Sequence, residues 1–70
     1  MWIKTKRNEL VNVDRLCSIN YVCETDSAYD YDGCGTYGIT DHELYFIADY
    51  DCTDMLINAI ARGTLFLEVR

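Results

Sequence analysis

From residue 16 to residue 61 the chain carries nine carboxylates and not one lysine or arginine. The acids are Glu24, Asp26, Asp30, Asp32, Asp41, Glu43, Asp49, Asp51 and Asp54. A charged carboxylate is too costly to bury without a partner, and this stretch offers no basic side chain to pair with. The segment 25–36, with Asp26, Asp30 and Asp32, is therefore expected to lie mostly outside the core. All six tyrosines (Tyr21, Tyr29, Tyr31, Tyr37, Tyr45 and Tyr50) lie in the same stretch. The bases sit outside it, at Lys4, Lys6, Arg7, Arg15, Arg62 and Arg70, so the middle carries −9 and the remainder +3, giving −6 overall. This segregation predicts an anionic, tyrosine-bearing side.

Seventy residues predict one domain, 1–70, with a small core. Pockets that engulf a metabolite typically run to roughly 300–1,000 Å³, which is hard to carve from such a core. Binding on an outer surface or across a subunit interface is easier to build. Half the residues are apolar, an ordinary globular share. No apolar run approaches about 20 residues, so no membrane span is expected. The opening Met-Trp-Ile-Lys-Thr-Lys-Arg lacks the apolar core of a signal peptide, which predicts a soluble, cytoplasmic protein. Its acidity opposes direct contact with nucleic acid or anionic lipid and favours a basic protein surface.

Strand-like segments fall at 2–5 and 10–13, forming a hairpin across the polar residues 6–9. In 16–24, Cys17, Ile19, Tyr21 and Cys23 alternate with Ser18, Asn20, Val22 and Glu24, the period of a sheet with one buried face. That reading makes Cys17 and Cys23 small core residues. Residues 25–36 break the pattern with three aspartates and two glycines, and Asp32-Gly33 suits a tight turn. Further strands are expected at 37–39 and 44–50, the latter apolar on both faces and so central or covered by a partner. A helix follows over about 52–62, capped by Asp51 with Asp54 completing a capping box. Its core stripe is Cys52, Leu56, Ala59 and Ile60, and Gly63 suits the residue past its end. A last strand, 64–69, turns Leu65, Leu67 and Val69 inward. The expected architecture is α+β: a small antiparallel sheet of five to six strands with one helix packed on one face.

Catalytic and metal chemistry have little to stand on. The four cysteines are separated by five, ten and seventeen residues, with no C-x-x-C knuckle. Without an export signal a disulfide framework is the weaker reading, and Cys34 is expected to be exposed and idle. Asp30-x-Asp32-Gly33 resembles part of an EF-hand loop. Placing Gly33 at the loop's glycine position, however, puts Ala28 and Ile39 where oxygen ligands belong. His42, between Asp41 and Glu43, reads as a solvated turn residue rather than an oriented base. No nucleophile elbow, phosphate loop or sugar cleft is indicated. No enzyme, metal or cofactor is expected.

The acidic, tyrosine-rich stretch remains. Tyrosine brings stiff amphipathic contact area to interfaces, and carboxylates around it pair with a partner's Arg and Lys. The expected partner-binding residues are Glu24, Asp26, Tyr29, Asp30, Tyr31, Asp32, Tyr37, Asp41, Glu43, Asp49 and Asp51. Imitation of nucleic acid needs acids from several elements. Along one strand alternate carboxylates lie about 6.6 Å apart, against one phosphate per about 3.4 Å of a DNA strand.

The opening W-I-x-T-x-x-x-x-L-V-N-V-D, Trp2 to Asp14, resembles that of small proteins found in Firmicute bacteria and their phages. In being very small, acidic and tyrosine-rich, with cysteines expected to be reduced, the chain is similar in type to phage-encoded anti-CRISPR proteins. Several of those occupy the nucleic-acid-binding surface of an effector complex. The resemblance implies an inhibitor whose partner is a basic nucleic-acid-binding protein such as a CRISPR effector, with no contact to nucleic acid itself. Two alternatives remain: a homo-oligomeric structural or regulatory module, a homodimer through an exposed strand edge, and a ligand- or cation-binding domain using the loop from Asp26 to Asp32.

Overall fold

The computed structural model describes residues 1–23 and 33–70. Among these, one helix and two three-stranded sheets form an α+β fold. Strand β1 (Trp2–Lys4) pairs antiparallel with β2 (Leu10–Asn12), as the hairpin pattern predicts, with Ile3 opposite Val11. The connection is held by Thr5, buried against the core, whose Oγ1 accepts the N–H groups of Arg7 and Glu9 at 3.3 and 3.2 Å. After a short 3₁₀ turn (Val13–Arg15) come β3 (Ser18–Val22), β4 (Gly35–Ile39) and β5 (Leu44–Ala48). Helix α1 (Thr53–Ala61) then leads to β6 (Phe66–Glu68).

The single antiparallel sheet of the sequence reading is replaced by two, ordered β2-β1-β6 and β3-β4-β5. The last strand pairs with the first, in parallel, with Ile3 beside Leu67. Just past β1, the Lys6 N–H donates to the Ile47 carbonyl at 2.9 Å, so the chain leaving the first sheet touches the edge of the second. Strand β5 is an edge strand, not a central one; the apolar middle position belongs to β4, where Gly35 to Gly38 are all buried. Ile3, Val11, Ile47, Ala48, Cys52, Leu56 and Val69 make the core, drawn from both sheets and the helix.

Expected core assignments are corrected in three elements. Cys17 and Cys23 are exposed, and Tyr21 with them. Strand β3 is the outer strand of its sheet, and only Ile19 and Val22 are half-buried. Leu65 is 83 % exposed, because β6 begins at Phe66, two residues after the expected start, and only Leu67 and Val69 turn inward. On the helix, Ile60 faces solvent, while Cys52, Leu56 and Ala59 are buried. Gly63, at φ +70°, takes the left-handed position past the helix end, as expected.

Candidate interaction surface

Of the eleven expected contact residues, Glu24, Asp26, Tyr29, Asp30, Tyr31 and Asp32 lie outside the described residues, as does the cation-loop reading of Asp26 to Asp32. Tyr37, expected at the surface, is buried. It is 1 % exposed, its ring meets Phe46 edge-on at 5.5 Å, and its hydroxyl donates to the Gly33 carbonyl at 2.8 Å. The remaining four, Asp41, Glu43, Asp49 and Asp51, are exposed, as is every described carboxylate. They do not form one patch. Asp41 and Glu43 lie before β5 and Asp49 and Asp51 after it, so about 20 Å of extended strand separates the two groups.

At the far end of β5 the strand ends of the second sheet come together, with Val22 opposite Gly35 and Thr36 opposite Ala48. Thr36, fully buried, anchors the turn into the helix. Its hydroxyl donates to the Tyr50 carbonyl at 2.7 Å and accepts the Cys52 N–H at 3.1 Å. Cys52 is the helix N-cap and gives no side-chain cap; the residue three positions on is Met55, so no capping box forms. Asp51 instead accepts the Thr53 N–H at 3.1 Å and the Thr53 hydroxyl at 2.6 Å, and these bonds hold its carboxyl below the ordinary range. Asp49 accepts the Lys6 ammonium at 2.9 Å, which lowers the carboxyl and raises the amine. The same ammonium lies 5.5 Å from the Tyr50 ring centre, and the Tyr50 hydroxyl donates to the Arg70 carbonyl at 2.7 Å. Tyr21 is raised by its hydrogen bond to Cys23 and by the charges of Cys23, Cys34 and Asp51. Tyr21, Tyr50, Asp49 and Asp51 thus share the end of the sheet from which residues 24–32 depart and to which they return.

The other end opens a groove of about 920 Å³ lined by Trp2, Leu10, Arg15, Asp41, Glu43 and Tyr45. The acids here are engaged locally. Cys17 Sγ donates to Asp41 at 3.5 Å, and that bond together with the Asp41 charge pushes the thiol up, away from nucleophilic use. The Tyr45 hydroxyl donates to Glu43 at 2.5 Å, which raises the phenol. Sequence reasoning missed this groove because it joins residues 2–17 to the turn at 40–43, and no local pattern signals such a meeting.

No protein-family model, curated protein or solved structure matches the chain. Chemistry must be read from the geometry alone. Among the described residues no three metal-binding side chains gather, and no helix is long and apolar enough to cross a membrane.

Proposed function

We propose that this chain is a small acidic protein-binding domain, not an enzyme, that occupies the basic nucleic-acid-binding surface of a partner. Its most concrete form is a phage-encoded inhibitor of bacterial defence, anti-CRISPR in kind, acting in the host cytoplasm. One observation carries the reading: exposed Tyr21 and Tyr50 stand with Asp49 and Asp51 at the sheet end where Cys23 and Gly33 bracket four further carboxylates. Tyrosine rings supply contact area there, and the carboxylates meet a partner's Arg and Lys. Asp41 and Glu43, at the opposite end, are left outside this surface.

The test is affinity capture from a bacterial lysate containing CRISPR effectors, followed by competition with the effector's nucleic acid. Support would be retention of a basic nucleic-acid-handling protein, its release by nucleic acid, weakening as salt rises, and loss with the double variant D30K/D32K. Capture unaffected by that double variant would refute the reading.

A second reading, a homodimer, is favoured by the outer face of the first sheet. Trp2 and Phe66 are register partners there, 49 % and 51 % exposed, beside the exposed Leu10. Light scattering showing a dimer that F66E dissociates would establish it. A monomer at high concentration would remove it.

A further inference from the structure

We propose that Cys23 and Cys34 are a reversible thiol-modification site, which a low-molecular-weight disulfide converts to an intramolecular disulfide. Val22 and Gly35 are register partners across β3 and β4, so Cys23 and Cys34 occupy the next opposed position. Residues opposed on antiparallel strands have Cα atoms about 4.5–5.5 Å apart. That lies inside the range of about 4.4–6.8 Å that a disulfide spans. The side chains also turn toward each other. The two sulfurs lie 2.7 Å apart, inside van der Waals contact, and the Cys34 Sγ lies 2.9 Å from the Cys23 carbonyl oxygen.

Both residues are exposed, so a small reagent reaches them and no core packing accounts for their meeting. The other two cysteines do not compete. Cys52 is buried at the start of the helix. Cys17 sits about 20 Å along β3 from Cys23, bonded to Asp41. A cross-strand pair at a hairpin mouth therefore replaces the expectation of an idle Cys34.

The chemistry is two exchange steps. One protein thiol loses its proton, attacks the small disulfide and releases one small thiolate, leaving a mixed disulfide. The second protein thiol loses its proton and attacks the protein sulfur of that mixed disulfide, expelling the other small thiolate. The protein gives up two electrons and two protons; the small disulfide takes them up as two thiols. A reducing thiol runs the sequence backwards. The inference stands apart from the proposed binding, since it needs only the two strands and their register.

The test uses the full chain, first reduced, then equilibrated with oxidised and reduced glutathione in varying ratio, quenched with acid and alkylated. As the ratio rises, two of the four thiols should become unreactive and the protein two hydrogens lighter. A single Cys23–Cys34 peptide link should appear and reductant should reverse it. C23S and C34S should each stop at a glutathione adduct on the remaining partner, and C17S should behave as the parent. Four reactive thiols at every ratio, a link through Cys17 or Cys52, or a link between two copies would each overturn the proposal.

Discussion

Replacing Thr36 with valine keeps the shape of the side chain and removes only its hydroxyl. That hydroxyl donates to the Tyr50 carbonyl and accepts the Cys52 N–H, in a site with no solvent exposure. A neutral hydrogen bond contributes a net of about 1 kcal/mol, and a buried group left unpaired costs about 1–3 kcal/mol. The Cys52 N–H is the backbone donor at the helix N-cap, bonded to the Thr36 hydroxyl. T36V is therefore expected to lose about 2–4 kcal/mol. For a chain of this length total stability is roughly 4–10 kcal/mol, so the loss is a large share of it. In thermal unfolding it corresponds to a fall of roughly 8–32 °C, at about 4–8 °C per kcal/mol. The control is T36S, which keeps the hydroxyl and drops one methyl. Urea denaturation followed by circular dichroism compares the two. If T36V is as stable as T36S, the hydroxyl does not anchor the helix and the account of this junction is wrong.

Gly35→Ala should destabilise more than Gly38→Ala in the same assay. A Cβ at Gly35 would sit 2.4 Å from the Ala48 carbonyl oxygen, whereas at Gly38 it meets the movable Leu16 side chain at 2.7 Å. Burial raises the Cys52 thiol above its ordinary value, so this group favours the folded state below the unfolded pKa and loses that contribution as the pH rises through the folded one. Cys52 should therefore be the last cysteine alkylated, with stability falling above about pH 8.5; alkylation of Cys52 as fast as Cys17 would contradict its burial. The Lys6 hydrogen bond lowers Asp49 and raises Lys6. The stability difference between the parent and D49N should thus be present near neutrality. It should be lost as the pH falls below the ordinary Asp range of about 4, through the lowered Asp49 value, and as it rises above the ordinary Lys range of about 10.5, through the raised Lys6 value. K6Q should tighten binding to a basic partner by freeing the Asp49 carboxylate, and weaker binding would count against the proposed surface.

Local order was legible wherever one element supplies its own signal. The first hairpin follows from alternation in residues 2–5 and 10–13, and the helix end from Gly63 at its positive φ. What sequence could not show is contact between distant segments. Pairing of β1 with β6 joins residues more than sixty apart, and neither strand has a local feature that names its partner. The same blindness misplaced the helix start. Asp51 and Asp54 have the spacing of a capping box, but the tertiary bond from Cys52 N–H to Thr36 moves the cap one residue on, where Met55 cannot complete it. Strand β3 alternates cleanly, yet none of its residues is fully buried: Ile19 packs against the core, while Cys17, Tyr21 and Cys23 of the same alternating set stay exposed. Of the candidate site, exposure of the acids was legible because an unpaired buried carboxylate is so costly. The burial of Tyr37 was not, since a phenol is satisfied by one hydrogen bond, here to Gly33.

Charge segregated along a chain does not stay segregated once the chain folds. Lys6, far from the acidic stretch in sequence, lands on Asp49, and the chain's amino terminus reaches Asp14 at 3.4 Å. Arg70 stays with its near neighbour Glu68 at 3.7 Å. Each of these pairs is at the surface, where an ion pair contributes little and exchanges readily with another cation. A partner's lysine or arginine therefore competes with Lys6 for Asp49 on nearly equal terms, and little is gained there on binding. Asp51 differs, because the bonds its Oδ1 takes among the described residues come from the N–H and hydroxyl of Thr53, which are neutral and leave the carboxylate its charge. At the opposite end Asp41 and Glu43 likewise accept neutral donors, but Arg15 shares their groove. Among the described residues of the proposed surface, Asp51, whose charge acts on Tyr21, is accordingly better placed to meet an external base than Asp49.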